Sequence, residues 1–396
     1  MGIGAREAIP IYEPYLPSWS LRHAEDALAA GWISSRGKYP ALVAERLAAT
    51  LGVRHVLLVS SGTAATHLAC HALRLRHPHV DTVYVPNHVY VAAWNAFHHV
   101  GHHRLLPIDA DLATWNVDAV ALSAHAITAR ERVAFLVVHN LGNVVNVPAL
   151  ARAHPGHVFV EDCCEGLFGR HEGAFAGTCS LAASVSFFGN KIITSGEGGA
   201  VLTNDSEVYD YLACLRDQGQ TAERYLHAFA GFNYRMTNVQ AALLLGQLEL
   251  LPEILEQKAR VFERYRRTLQ GHERIRPQAI APSTEHARWM FAVRVVGSPG
   301  FAVADAYFRA RGIEIRPMFR PMSAHGHLRQ FAAFDEDNAR RLHHECVVLP
   351  SHPGLHDDEV DHVVDTLLCF ELEHGKPAAQ PGADLPLRDG VPSGAA

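Results

Sequence analysis

Between about position 55 and position 204, short apolar runs alternate with segments long enough for helices. "HVLLVS" (55–60), "TVYVP" (82–86), "RLLPID" (104–109), "VAFLVV" (133–138), "VFVED" (158–162), "SVSFF" (184–188) and "GAVLTN" (199–204) read as strands. Most show no in–out alternation, as expected of strands covered on both faces. The segments 63–76, 90–100 and 146–154 between them fit helices. Strand–helix–strand repetition on this scale predicts an α/β fold with a mostly parallel, doubly wound sheet. From 237 to 271 the pattern becomes a long amphipathic helix, with Thr237 or Asn238 as its cap and Pro252 as a break or kink. "ARWMFAVRVVG", "FAVADAYFRARG" and "IEIRPMFRP" then read as strand, helix and strand, a smaller C-terminal α+β domain. The expected division is a large domain with an N-terminal arm over 1–250 and a small domain over 251–373. The Pro/Gly/Ala-rich tail, 374–396, has no apolar period and is expected to be disordered.

Composition narrows the function classes. With 396 residues, 48% hydrophobic and 19% charged, the chain can bury a large core and a smaller one. A net charge of −6 with no basic block argues against nucleic acid as a partner. No apolar run approaches the ~20 residues of a membrane span. "MGIGAREAIPIYEP" lacks the basic and apolar regions of a signal peptide, and Arg6 stands where a myristoylation signal has Ser or Thr. Seven cysteines without C-x-x-C spacing predict reduced thiols and a cytoplasmic protein, with Cys163 and Cys164 as small packing residues. The histidine run "FHHVGHH" (97–103) has no ligand-type partners at metal-site spacing, so no metal is expected.

Three stretches carry chemistry. "VSSGTAATHLAC" (59–70) puts Ser61, Gly62 and Thr63 between a strand and a helix, where free N–H groups at the positive end of the dipole suit a phosphate. "VFVEDCCEG" (158–166) ends an apolar strand with Glu161, Asp162 and Glu165, and strand carboxyl ends face the ligand crevice in such sheets. An acid there can hold a protonated heterocyclic nitrogen or a metal, and without ligand-type neighbours a charge partner for a cofactor is the better reading. "SFFGNKIITSGEGG" holds Lys191, in a chain where only four of 35 Lys and Arg residues are lysine. Lysine forms a Schiff base and arginine cannot. A phosphate cradle, a strand-end acid and a lysine with glycines following it together describe a pyridoxal 5′-phosphate (PLP) site.

These stretches, with "GWISSRGKYP", "GFNYRMTNVQAALLLGQLELL" and "IRPMFRPM", resemble the DegT-type, fold type I PLP-dependent aminotransferases acting on nucleotide-linked keto-sugars. The likeness runs from about Gly31 to Val364 and, in "ATWNVD", "SFFGNKIIT" and "NYRMTN", is strongest toward the perosamine and viosamine synthases. The resemblance implies that Lys191 forms the internal aldimine and shuttles the proton. It implies that Asp162 pairs with the pyridine nitrogen, Glu165 lies near the phenolic oxygen and Tyr90 stacks on the ring. Gly62, Thr63 and Ser186 would hold the phosphate. Asn233 would reach the phosphate of a neighbouring subunit, making the protein a homodimer with shared sites. Arg235, Arg316 and Gln218 would contact the donor carboxylate or the nucleotide sugar. Two features depart from the pattern: "EDCCEG" replaces the commoner Glu-Asp-Ala-Ala-Gln, and Gln218 stands where many members carry His. The expected reaction moves an amino group from L-glutamate to C4 of a nucleotide-linked 4-keto-6-deoxyhexose. A 3-keto-sugar, a cyclitol or an aminoshikimate-type ketone is the alternative acceptor. A non-catalytic partner subunit is the alternative of another class.

Overall fold

The computed structural model describes residues 8–101, 104–129, 131–331 and 335–375. The extreme N-terminus, His102, His103 and the tail from residue 376 lie outside the described residues.

Seven strands build the main sheet: β1 (His55–Val59), β2 (Thr82–Pro86), β3 (Arg104–Ile108), β4 (Ala134–Val138), β5 (Val158–Asp162) and, after the two-residue β6 (Arg170–His171) and β7 (Ala174–Phe175), β8 (Ala183–Ser186) and β9 (Gly199–Thr203). Their order is β1-β9-β8-β5-β4-β2-β3. Pairs β2–β3, β2–β4, β4–β5 and β5–β8 are parallel, while β9 runs antiparallel to both β8 and β1. The sheet is therefore mixed, and its one reversed strand has a local cause. No helix lies between β8 and β9, and a parallel return needs a crossover of a dozen or more residues, usually helical. The loop from 187 to 198 spends its length on the site instead.

The helices before the end of the main sheet are α1 (Ser18–Ala29), α2 (Tyr39–Leu51), α3 (Gly62–Arg76), α4 (Ala92–Val100), α5 (Ala119–Thr128) and α6 (Val147–Ala153). They are followed by α7 (Ser206–Arg216), α8 (Asn238–Glu249) and α9 (Leu251–Thr268). Strand residues of one parity pack with α3, α4 and α7, as do Val83, Val85, Leu136 and Val160. Those of the other parity face α5 and α6, or α2 and α8, as do Phe135 and Phe159, or Val56 and Leu58. Both faces are covered, which is why the strand runs lack alternation.

The expected long helix is cut in two. Thr237 caps α8 through a capping box with Gln240, and Pro252 sits in the first turn of α9, where its missing N–H costs nothing. A second sheet, in the order β10-β12-β14-β13, is assembled from β10 (Ile275–Pro277), β12 (Phe291–Val295), β13 (Arg316–Pro317) and β14 (Cys346–Leu349), with β11 (Thr284–Glu285) pairing β6. Within this sheet the run "IEIRPMFRP" pairs only through Arg316 and Pro317, because Pro317 and Pro321 lack ladder donors. Helices α10 (Phe301–Arg309), α11 (Asp337–Glu345) and α12 (Asp357–His374) complete the chain. α9, α10 and α12 bury Val261, Phe308, Val363 and Phe370 with this sheet. The N-terminal arm runs back to it, with Ile9 bridging Ile313. No helix among the described residues is long and apolar enough to cross a membrane.

Candidate active site

At the carboxyl ends of β4, β5 and β8 lies a cavity of about 560 Å³, closed on its far side by Trp289, Met290 and the segment Arg316–Phe319. Strand parity decides which acid enters it. Glu161 and Asp162 are neighbours on β5, so their side chains take opposite faces. Asp162, buried, lines the cavity, and one carboxylate oxygen accepts the Cys164 N–H at 2.9 Å. Glu161 turns away and accepts from the Gly177 N–H and from His139 Nε2, each at 2.9 Å. Burial works to raise the Glu161 carboxyl, but the His139 contact and the Gly177 N–H outweigh it and hold its pKa below the ordinary value.

With Cys163 these two residues form the one His/Cys/acid group among the described residues whose ligand atoms could converge on a metal ion. Hydrogen bonding closes it. The Val145 N–H donates to His139 Nδ1, leaving the proton on Nε2 to face Glu161. All seven cysteines are free; Cys163 packs in the core and Cys164 borders the cavity.

The start of α3 meets β8 at the cavity's other wall. Ser61 caps the helix by accepting the Ala64 N–H at 3.1 Å, and Thr66 Oγ1 ties it to Ser184 Oγ at 2.9 Å. Gly62 permits this approach: a Cβ there would lie 2.7 Å from the Ser186 Cβ and 2.9 Å from its hydroxyl. Gly62 and Thr63, at the start of α3, and Ser186, at the end of β8, therefore line the same cavity, which places the positive end of the helix dipole and two hydroxyl-bearing residues at it.

Lys191 projects from the loop after β8. Its Nζ rests 3.7 Å from the centroid of the Trp289 ring, and the Trp289 Nε1–H donates to Asn190 O at 2.7 Å. The Tyr12 hydroxyl donates to Lys191 O at 2.7 Å. Glu165 accepts the N–H of Leu141, a residue in the left-handed region at φ 56°, at 2.8 Å. Burial pushes the Glu165 carboxyl up to about 7 against the pull of the Lys191 charge and that hydrogen bond. Tyr90 borders the cavity with its ring 6.1 Å from that of Phe319, and Arg316 borders it from β13, 3.7 Å from Glu314.

Eight of the expected residues thus share one cavity: Gly62, Thr63, Tyr90, Asp162, Glu165, Ser186, Lys191 and Arg316. Three do not line it. Arg235 pairs with Asp217 and donates to Ser35 Oγ at 3.1 Å; Gln218 sits in the left-handed region with its N–H on Phe232 O; Asn233 is exposed and bridges Asp217. Trp289, Tyr12 and Phe319 were not expected at the site. "ARWMF" shows only as a strand run in the sequence, and its place beneath the Lys191 amine depends on how the second sheet docks.

A cradle at a helix N-terminus, a buried strand-end carboxylate and an amine on one wall fit PLP, and the tight contact at Gly62 shows the cradle is shaped rather than incidental. Fold and site define a PLP-dependent transferase of fold type I. Residues 18–368 match the DegT/DnrJ/EryC1/StrS aminotransferase family, and the chain belongs to it; the protein is a PLP-dependent aminotransferase. The chain is 33% identical over 369 residues to the GDP-perosamine synthase of Vibrio cholerae, covering 91% of this chain and 98% of that one. It is 34% identical over 367 residues to the GDP-perosamine synthase of Caulobacter vibrioides, covering 91% and 97%. A Streptococcus pneumoniae protein, Spr1654, described as a sugar aminotransferase and solved in its PLP form, shares the fold with a TM-score of 0.84 at 23% identity, over 92% of this chain and 99% of that one.

Proposed function

We propose that the protein transfers an amino group from L-glutamate to C4 of a GDP-linked 4-keto-6-deoxyhexose, with Lys191 as the amine that carries the cofactor and moves the protons. The observation that carries this reading is the convergence of Lys191, Asp162, Glu165 and the α3 cradle on one cavity. The names of the two bacterial relatives favour a GDP-linked acceptor and the product perosamine.

When bound, PLP supplies a carbonyl that condenses with amines and a protonated ring that takes up electrons from the carbon being deprotonated. Asp162 would pair with the ring nitrogen and keep it protonated. Thr63, Ser186 and the first turn of α3 would hold the cofactor's phosphate, Tyr90 would stack on its ring and Glu165 would lie near its phenolic oxygen. Lys191 Nζ takes the proton from the α-carbon of the amino donor and later delivers one to C4 of the sugar. Arg316 meets the donor carboxylate or the diphosphate. Asn233 serves the site of a second protomer, which makes the working unit a homodimer.

Borohydride reduction followed by peptide mass spectrometry is expected to leave the cofactor mass on Lys191. Lys191→Ala should abolish turnover, and unchanged turnover in that variant would sink the mechanism. With ¹⁵N-glutamate and a panel of keto-sugar nucleotides, the label is expected on C4 of the GDP-linked product; label on C3, or transfer to a cyclitol ketone instead, overturns the substrate assignment.

A further inference from the structure

Lys258 is a buried group that the reaction above does not use. It lies on α9 with no solvent exposure, and burial holds its amine well below the ordinary lysine pKa. Its Nζ donates to two backbone carbonyls, Trp289 O at 2.7 Å and Ser351 O, and lies 5.4 Å and 5.3 Å from the ring centroids of Tyr12 and Phe262. An apolar side chain of similar volume often serves a core as well or better than a buried charge. The retention of an amine here therefore asks for a reason.

What Lys258 touches supplies one. Trp289 O is at the entry to β12 and Ser351 O is just past the exit of β14, and Phe291 N donates to Ser351 Oγ at 3.0 Å. Lys258 ties these two ends together from below. The residue this holds in place is Trp289, whose indole is fixed at its other end by Asn190 O and lies under Lys191 Nζ. The second neighbour, Tyr12, turns its ring to Lys258 and gives its hydroxyl to Lys191 O. Two short routes thus run from Lys258 to Lys191, one to the amine and one to the backbone.

We propose that Lys258 is a positioning residue for Lys191. It fixes Trp289 as the platform on which the free Lys191 amine rests between proton transfers, and Tyr12 as the strut under the Lys191 backbone. The inference rests on the role of Lys191 given above.

The test compares holoenzymes of Lys258→Met, Trp289→Phe, the double variant and Lys191→Ala with the wild type. Lys258→Met is expected to lower kcat between about ten- and a hundredfold, with the KM of donor and acceptor held within about twofold. The pH midpoint of the cofactor's visible band should move by about half a unit or more, since that band reports the environment of the lysine-bound cofactor even without turnover. The double variant should be no slower than the slower single, because both changes act on one contact. A Lys258→Met enzyme that loses only Tm, keeping kcat and band midpoint, overturns the proposal, as do single effects that multiply. Should Lys258→Met not fold, Trp289→Phe and Tyr12→Phe decide the point: unchanged kcat and midpoint in both overturns it. Lys191→Ala with full turnover defeats the underlying reading, whereas an inactive Lys191→Ala beside an unaffected Lys258→Met defeats this inference alone.

Discussion

At the scale of single residues, Glu165 is the most informative titrating group. Burial raises its carboxyl to about 7 although the Leu141 N–H and the Lys191 charge favour ionisation. An acid whose folded pKa lies above its unfolded value binds more protons when folded, so stability falls as pH rises through the window between the two. Cofactor-free protein should therefore lose of order 1–3 kcal/mol of stability between roughly pH 5 and pH 7.5 from this group. Glu165→Gln keeps an acceptor for Leu141 and removes the titration. Relative to wild type, its stability should gain progressively from pH 5 to pH 7.5 and exceed wild type at pH 8, the difference being the share Glu165 contributes, measured by urea unfolding of both proteins at a series of pH values. The sequence showed Asp162 and Lys191 clearly, because an acid ending an apolar strand and a rare amine in an arginine-rich chain are local signals. Trp289 and Lys258 were not legible. One looks like an ordinary strand residue and the other like an ordinary helix lysine until α9 and β12 are packed together.

At the scale of elements, the site depends on the start of α3 lying against β8. Gly62→Ala would place a methyl group 2.7 Å from the Ser186 Cβ, so the helix end or the strand must move. The expected cost is about 1–3 kcal/mol of stability, together with weaker cofactor binding because the phosphate cradle opens. Gly156, where a Cβ meets nothing within 4 Å, is the control, and Gly156→Ala should stay within about 0.5 kcal/mol of wild type. Denaturant curves and cofactor titration of both variants check this; equal losses in the two would refute the packing argument. Most strands and helices were readable here, since apolar runs and caps such as Thr237 are short-range features. The reversal of β9 was not, because a short run such as "GAVLT" carries no direction. Direction came from the absence of a helix between β8 and β9, where the chain instead forms the loop that presents Lys191.

At the scale of the whole molecule, the placement of Asn233 poses the last test. Within one chain it is exposed and lies outside the cavity, although the phosphate cradle at Ser61–Thr63 is the group it is proposed to serve. A two-fold homodimer resolves this if each protomer's Asn233 enters the other's site, since isologous contacts are reciprocal. Lys191→Ala and Asn233→Ala would then each inactivate the enzyme alone, and through different halves of the site. In a heterodimer of the two variants, one site carries both changes and the other carries neither. Unfolding and refolding an equimolar mixture should therefore restore about a quarter of wild-type activity, because half the dimers are mixed and each has one intact site. If Asn233 instead acts within its own chain, every site in the mixture carries one change or the other, and the mixture stays as inactive as its components.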